Sequence, residues 1–130
     1  MRHRRVLIVD DDPKVRSELE QALTRRGDTV LLATSGEQAC DLLASHAFDA
    51  ILMDLRMPSM SGQTLFYVIL SQWPHLVPRL AVMSTGPDAE DQHEWLMLYS
   101  LPVIRKPFEV PQALSMIDAL TAERRRANGL

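Results

Sequence analysis

Four short stretches carry side chains that could do chemistry together: Asp10, Asp11 and Asp12; Asp54; Ser84 and Thr85; Arg105 and Lys106. Carboxylates held close at neutral pH repel one another, so they must protonate or share a cation. Ligands that are all oxygen select a hard ion. Magnesium held by one or two carboxylates commonly completes its shell with phosphate oxygens. Lys106 and Ser84 could bind the remaining oxygens of such a group. The set reads as a site for phosphoryl chemistry.

These residues need elements that bring them to one place. Each stretch directly follows a short apolar run, at residues 6–9, 50–53, 80–83 and 102–104, and a fifth run lies at 29–33. Runs that are unbroken rather than alternating suit strands buried on both faces. Between them lie segments of helical length. Asp12 is the expected N-cap of the first, with Pro13 in its first turn, Gly27 past its end, and Val15, Leu19 and Ala22 on one face. Ser35 and Gln38 form a capping-box pattern ahead of Ala39, Leu42 and Leu43. Val110, Ala113, Leu114 and Ile117 stripe the last segment. Residues 65–70 alone fit a strand or a helix, and alternation of elements decides for helix. Strand then helix, five times over with short connections, predicts a doubly wound five-stranded parallel sheet of the α/β class. Ligands of such sheets bind beyond the carboxyl ends of the strands, where the polar stretches fall.

A chain of 130 residues suits one domain. Its net charge of −3 provides no long-range attraction for nucleic acid. Of two short basic runs, residues 1–5 read as a solvated start, and Arg124 to Arg126 suit the negative end of the last helix dipole. Cys40 has no second cysteine to pair with, and His3, His46, His75 and His93 lack zinc-ligand spacing. No apolar run approaches the roughly 20 residues of a membrane span, so the cytoplasm is the expected compartment. Residues 95–99 are apolar right round the proposed fourth helix, more than one core-facing stripe can bury. Trp95 and Tyr99 are therefore candidates for a partner surface.

Three motifs, Val6-Leu-Ile-Val-Asp-Asp-Asp-Pro13, Asp49-Ala-Ile-Leu-Met-Asp-Leu-Arg-Met-Pro-Ser-Met-Ser-Gly62 and Val103-Ile-Arg-Lys-Pro-Phe108, together resemble the receiver domains of two-component response regulators. The match spans nearly the whole chain. It implies a flavodoxin-like (βα)5 receiver domain over residues 1–124, with a short basic tail at 125–130. By resemblance Asp54 is the phosphoacceptor. Mg2+ is held by Asp11, Asp54 and the backbone carbonyl of Arg56, while Asp10 orients it through water. Ser84 is the switch hydroxyl, Lys106 pairs with the phosphoryl group, and the peptide before Pro107 is commonly cis. The implied donor is a phosphohistidine of a sensor histidine kinase or histidine phosphotransfer protein. Output would pass through contacts with a protein target, from a monomer or weak homodimer, with no nucleic acid or membrane involved. Such a domain is a signalling phosphoacceptor rather than an enzyme.

Two positions depart from the usual receiver pattern. Val103 stands where many receivers carry Tyr or Phe. Thr85 replaces a small Ala or Gly and is expected to crowd the phosphoryl site. Ser84 lies thirty residues after Asp54 and twenty-two before Lys106, the usual spacing of the switch hydroxyl, although Thr85 beside it also carries one. Arg56 occupies the place where aspartate-nucleophile phosphatases keep a second acid, which argues against that enzyme class. The alternative is a phosphorylation-independent adaptor that keeps the fold. Val103 and the apolar fourth helix favour it, and the intact acidic set opposes it.

Overall fold

A computed structural model describes residues 4–86 and 92–127, with side chains through position 122. The chain alternates β1 (Arg5–Val9), α1 (Pro13–Arg25), β2 (Thr29–Ala33), α2 (Gly36–Ser45), β3 (Ala50–Asp54) and α3 (Gly62–Gln72). A 3-10 segment (Pro74–Arg79) leads to β4 (Leu80–Ser84), and then follow α4 (His93–Leu98), β5 (Val103–Arg105) and α5 (Val110–Ala127). All strand pairs are parallel, in the order β2-β1-β3-β4-β5. The expected architecture is therefore the observed one.

The period of two along each strand sorts side chains onto the two faces of the sheet. Leu7, Val9, Ile51, Met53 and Val82 pack with residues of α2, α3 and α4, whereas Val6, Ile8, Leu52, Met83 and Ile104 pack with residues of α1 and α5. Every residue of β3 and β4 is buried. Their sequences read as continuous apolar runs because helices cover both faces. Residues 65–70 lie inside α3, where Leu65, Phe66 and Ile69 point into the core.

The helix ends follow the local signals. Asp12 accepts from the Lys14 N–H at 2.9 Å. Gly27, just past α1, has a φ of 90°, which is open to glycine at little cost. Ser35 accepts from the Gln38 N–H, but Gln38 Oε1 takes the N–H of Thr34 at 2.6 Å rather than that of the cap residue. The box is thus shifted by one residue. The helix of α5 continues through Ala127, so positions 125–127 extend it. Residues 1–3 and 128–130, and the side chains of Arg124 to Arg126, lie outside the described part. No described helix is long and apolar enough to cross a membrane.

The chain leaves β1 for the edge strand β2 and then crosses back to β3, so the winding direction reverses between β1 and β3. A crevice opens at that switch point beyond the strand ends. The residues at its lip are Asp10 and Asp54.

Candidate functional site

Asp10 follows the last residue of β1 and is fully buried. Each of its polar atoms has a partner. Its N–H donates to Ala33 O at 3.1 Å, and its carbonyl accepts from Arg16 Nη1 at 2.8 Å. Its Oδ1 accepts from the Asp12 N–H at 2.9 Å and its Oδ2 from Lys106 Nζ at 2.6 Å. A buried carboxylate persists only when paired and hydrogen-bonded in this way. Asp54 closes β3 and is buried. Its Oδ2 lies 3.5 Å from Lys106 Nζ, while the Arg56 N–H reaches its Oδ1 at 3.4 Å. Asp11 is exposed at the mouth.

Oxygens of Asp10, Asp11 and Asp54 lie within 4.8 Å of one another. Lys106 thus meets two of three clustered carboxylates, those of Asp10 and Asp54. Burial, and then the charge of Asp10, push the Asp54 carboxyl from its ordinary 3.8 up to about 6, against the opposing pull of Lys106. Burial alone would lower the Lys106 ammonium. The Asp10 hydrogen bond and the charges of Asp54 and Asp10 outweigh it and hold the group above 10.5. Such a donor set, all oxygen and short of positive charge, fits a hard divalent ion such as Mg2+.

The other sequence candidates fall around this centre. Ser84 is buried at the end of β4, and its hydroxyl donates to the Thr85 carbonyl at 2.6 Å. Thr85 is exposed and lines a cavity of about 360 Å³ beside the site, with Val15, Leu19, Lys106, Pro107 and Phe108. Its side chain borders the approach to Lys106. The Lys106–Pro107 peptide is cis. Arg56 is exposed on the loop after β3. Val103 packs against the core on the α3 and α4 side of the sheet.

The two partner-surface candidates differ in exposure. Trp95 is 7 % exposed, and its ring lies 5.2 Å from that of Phe66. Tyr99 is half-buried against Phe66, at 4.8 Å, and Tyr67, at 6.1 Å. Both belong to an aromatic cluster that joins α4 to α3. The apolar side chains that α4 turns to solvent are Met97, 65 % exposed, and Leu98, 73 % exposed. The five-residue run hid this because a single turn cannot show which side meets α3.

The contact of Arg16 with the Asp10 main chain also escaped the sequence. A cation one turn into the helix that follows the acidic run was the available signal.

The sequence model of the response regulator receiver domain family matches residues 6–118. Among curated relatives, the chain is 32% identical over 127 residues to the transcriptional regulatory protein QseB of Escherichia coli O157:H7, covering 96% of this chain and 55% of that one. It is 32% identical over 111 residues to the DNA-binding transcriptional regulator NtrC of Klebsiella pneumoniae, covering 85% of this chain and 23% of that one. The chain therefore spans between a quarter and about half of these longer relatives. The receiver domain of the Francisella response regulator 1452 superposes with a TM-score of 0.82 at 23% identity, over 94% of this chain and 99% of that one. A CheY-like receiver domain of Methanospirillum hungatei gives the same score at 21% identity, over 96% and 99%. These two likenesses are of fold.

Proposed function

The chain belongs to the response regulator receiver domain family, and on that premise we propose that Asp54 accepts a phosphoryl group from a partner's phosphohistidine. The observation that carries this reading is the placement of Asp54: a buried carboxylate at a strand end, 3.5 Å from a lysine and within reach of two further carboxylates. With its carboxyl at about 6, Asp54 is mostly ionised at neutral pH and available as a nucleophile.

In the transfer an Asp54 oxygen attacks phosphorus as the bond from phosphorus to the imidazole nitrogen breaks, and that nitrogen keeps the electron pair. Lys106, held by Asp10, presents a fixed ammonium to the phosphoryl oxygens, so little reorganisation accompanies the charge movement. Asp11, Asp54 and the Arg56 carbonyl would hold Mg2+ with Asp10 behind them, and the ion would offset the charge spread over those oxygens. Rotation of the Ser84 side chain would exchange the Thr85 carbonyl for a phosphoryl oxygen and so report the modification. Val15, Leu19, Pro107 and Phe108, together with the charged Lys14 and Glu18, line the cavity beside Lys106, and that face would suit the helix that carries the donor histidine. That donor would belong to a sensor histidine kinase or phosphotransfer protein in the cytoplasm. The modified domain would then act by changing its protein contacts.

Incubation with acetyl phosphate and Mg2+, followed by intact mass, tests the reading. The parent should gain one phosphoryl group and Asp54→Asn none. If the parent stays unmodified, the adaptor reading takes over, favoured by Val103 at the usual aromatic position and by the exposed Met97 and Leu98.

A further inference from the structure

We propose that Arg16 is a positioning residue of the Asp54 site, holding the acidic turn in register through the main-chain carbonyl of Asp10. The proposal rests on the reading of that site as one that binds a divalent ion and a phosphoryl group.

In the sheet, Asp10 N–H is satisfied by Ala33, the last residue of β2. β2 ends at Ala33, so the strand ladder stops there, and Arg16 Nη1 donates to the Asp10 carbonyl at 2.8 Å. Asp10 is wholly sealed from solvent in this arrangement, so its carbonyl relies on a protein donor. The carboxylate of the same residue carries Lys106 on one oxygen and the Asp12 N–H on the other. Asp11 is covalently next in this turn, and its oxygen completes the three-carboxylate group.

A shift of the Asp10 carbonyl would therefore move three functional groups at once: the Asp10 carboxylate, the Lys106 ammonium it holds and the Asp11 side chain. The guanidinium also places a permanent cation next to a turn rich in negative charge. Arg16 is on α1, whose N-cap Asp12 belongs to the same turn, so one short segment carries both the ligands and their brace. Its action is that of an outer-shell partner, which orients ligating groups without touching the ion.

The test compares the full chain with Arg16→Met and Arg16→Lys by calorimetric Mg2+ titration and by hydrogen exchange of the Asp12 amide. Arg16→Met should weaken Mg2+ binding by about tenfold, as loss of an outer-shell partner commonly does. The Asp12 amide should exchange faster while the core amides of β3 and β4 keep their protection. Arg16→Lys, which can still donate to the carbonyl, should recover most of the affinity. Parental Mg2+ affinity in folded Arg16→Met would overturn the proposal, as would a uniform loss of protection with no change at the ion. If Arg16→Met fails to fold, Arg16→Gln is read by the same two outcomes. A parent that binds Mg2+ yet takes no phosphate from acetyl phosphate defeats the phosphoacceptor reading, and the Mg2+ comparison still decides the role of Arg16.

Discussion

Asp54 is a residue whose placement works against the stability of the metal-free fold. Its carboxyl is raised to about 6 from 3.8, chiefly by burial and by Asp10. The native state therefore binds the Asp54 proton more tightly than the unfolded chain does. Stability from this group is greatest below the unfolded value and declines as pH rises through about 4 to about 6, after which the full penalty persists. That penalty amounts to roughly 2 to 3 kcal/mol at neutral pH. Asp54→Asn should accordingly unfold at higher urea than the parent at neutral pH with a chelator present, and the gap should close below pH 4. An Asn variant no more stable than the parent at neutral pH would show that Asp54 carries no such strain. That Asp54, Asp10, Asp11 and Lys106 gather at one edge of the sheet was legible in the sequence, because their polar stretches follow apolar runs. The hydrogen bond of Ser84 to its neighbour's carbonyl was not, since it depends on a rotamer.

The element that holds Asp54 is the joint between β3 and α3, and Gly62 sets how closely it closes. The Gly62 N–H donates to Leu55 O at 2.9 Å. A β-carbon there would come 2.6 Å from Asp54 O and 2.7 Å from Leu55 Cα, both main-chain atoms that cannot swing aside. Gly62→Ala should therefore push α3 away from the strand end, costing roughly 1 to 3 kcal/mol as overpacking does. It should also slow phosphorylation by acetyl phosphate in the folded protein. Gly27→Ala is the control. Its φ of 90° makes a side chain there costly too, but it sits after α1, away from Asp54, and should lower the urea midpoint with no change in rate. Equal slowing in both variants would mean that the rate follows stability alone. At this scale the sequence showed strands and helices well, because burial on two faces leaves unbroken apolar runs. Which side of α4 faces outward was not legible, since that depends on Phe66 and Tyr67 reaching across from α3 to contact Trp95 and Tyr99.

Across the whole molecule, the two ends of the sheet divide stability from chemistry. The carboxyl end gathers Asp10, Asp54 and Lys106, with a strong electrostatic demand that a divalent cation can meet. At the amino end, Arg4 forks onto Asp28 with two 3.0 Å bonds and reaches Asp118 and Thr121 on α5 at 3.0 Å. Asp28 is buried with this partner, and Arg26 joins the group through Asp118. The sequence offered no trace of it, because its members lie up to 117 residues apart and meet only once the sheet has formed. Arg4→Met would leave the Asp28 carboxylate buried without its fork, a loss of about 3 kcal/mol or more on the scale of broken buried pairs. It should lower the urea midpoint substantially. The phosphorylation rate and Mg2+ affinity of the folded fraction should stay at the parental level, because Arg4 and Asp28 lie at the opposite end of the strands from Asp10 and Asp54. Parallel losses of stability and Mg2+ affinity would instead mean that the two ends are coupled through β1, which carries Arg4's neighbour at one end and leads into Asp10 at the other.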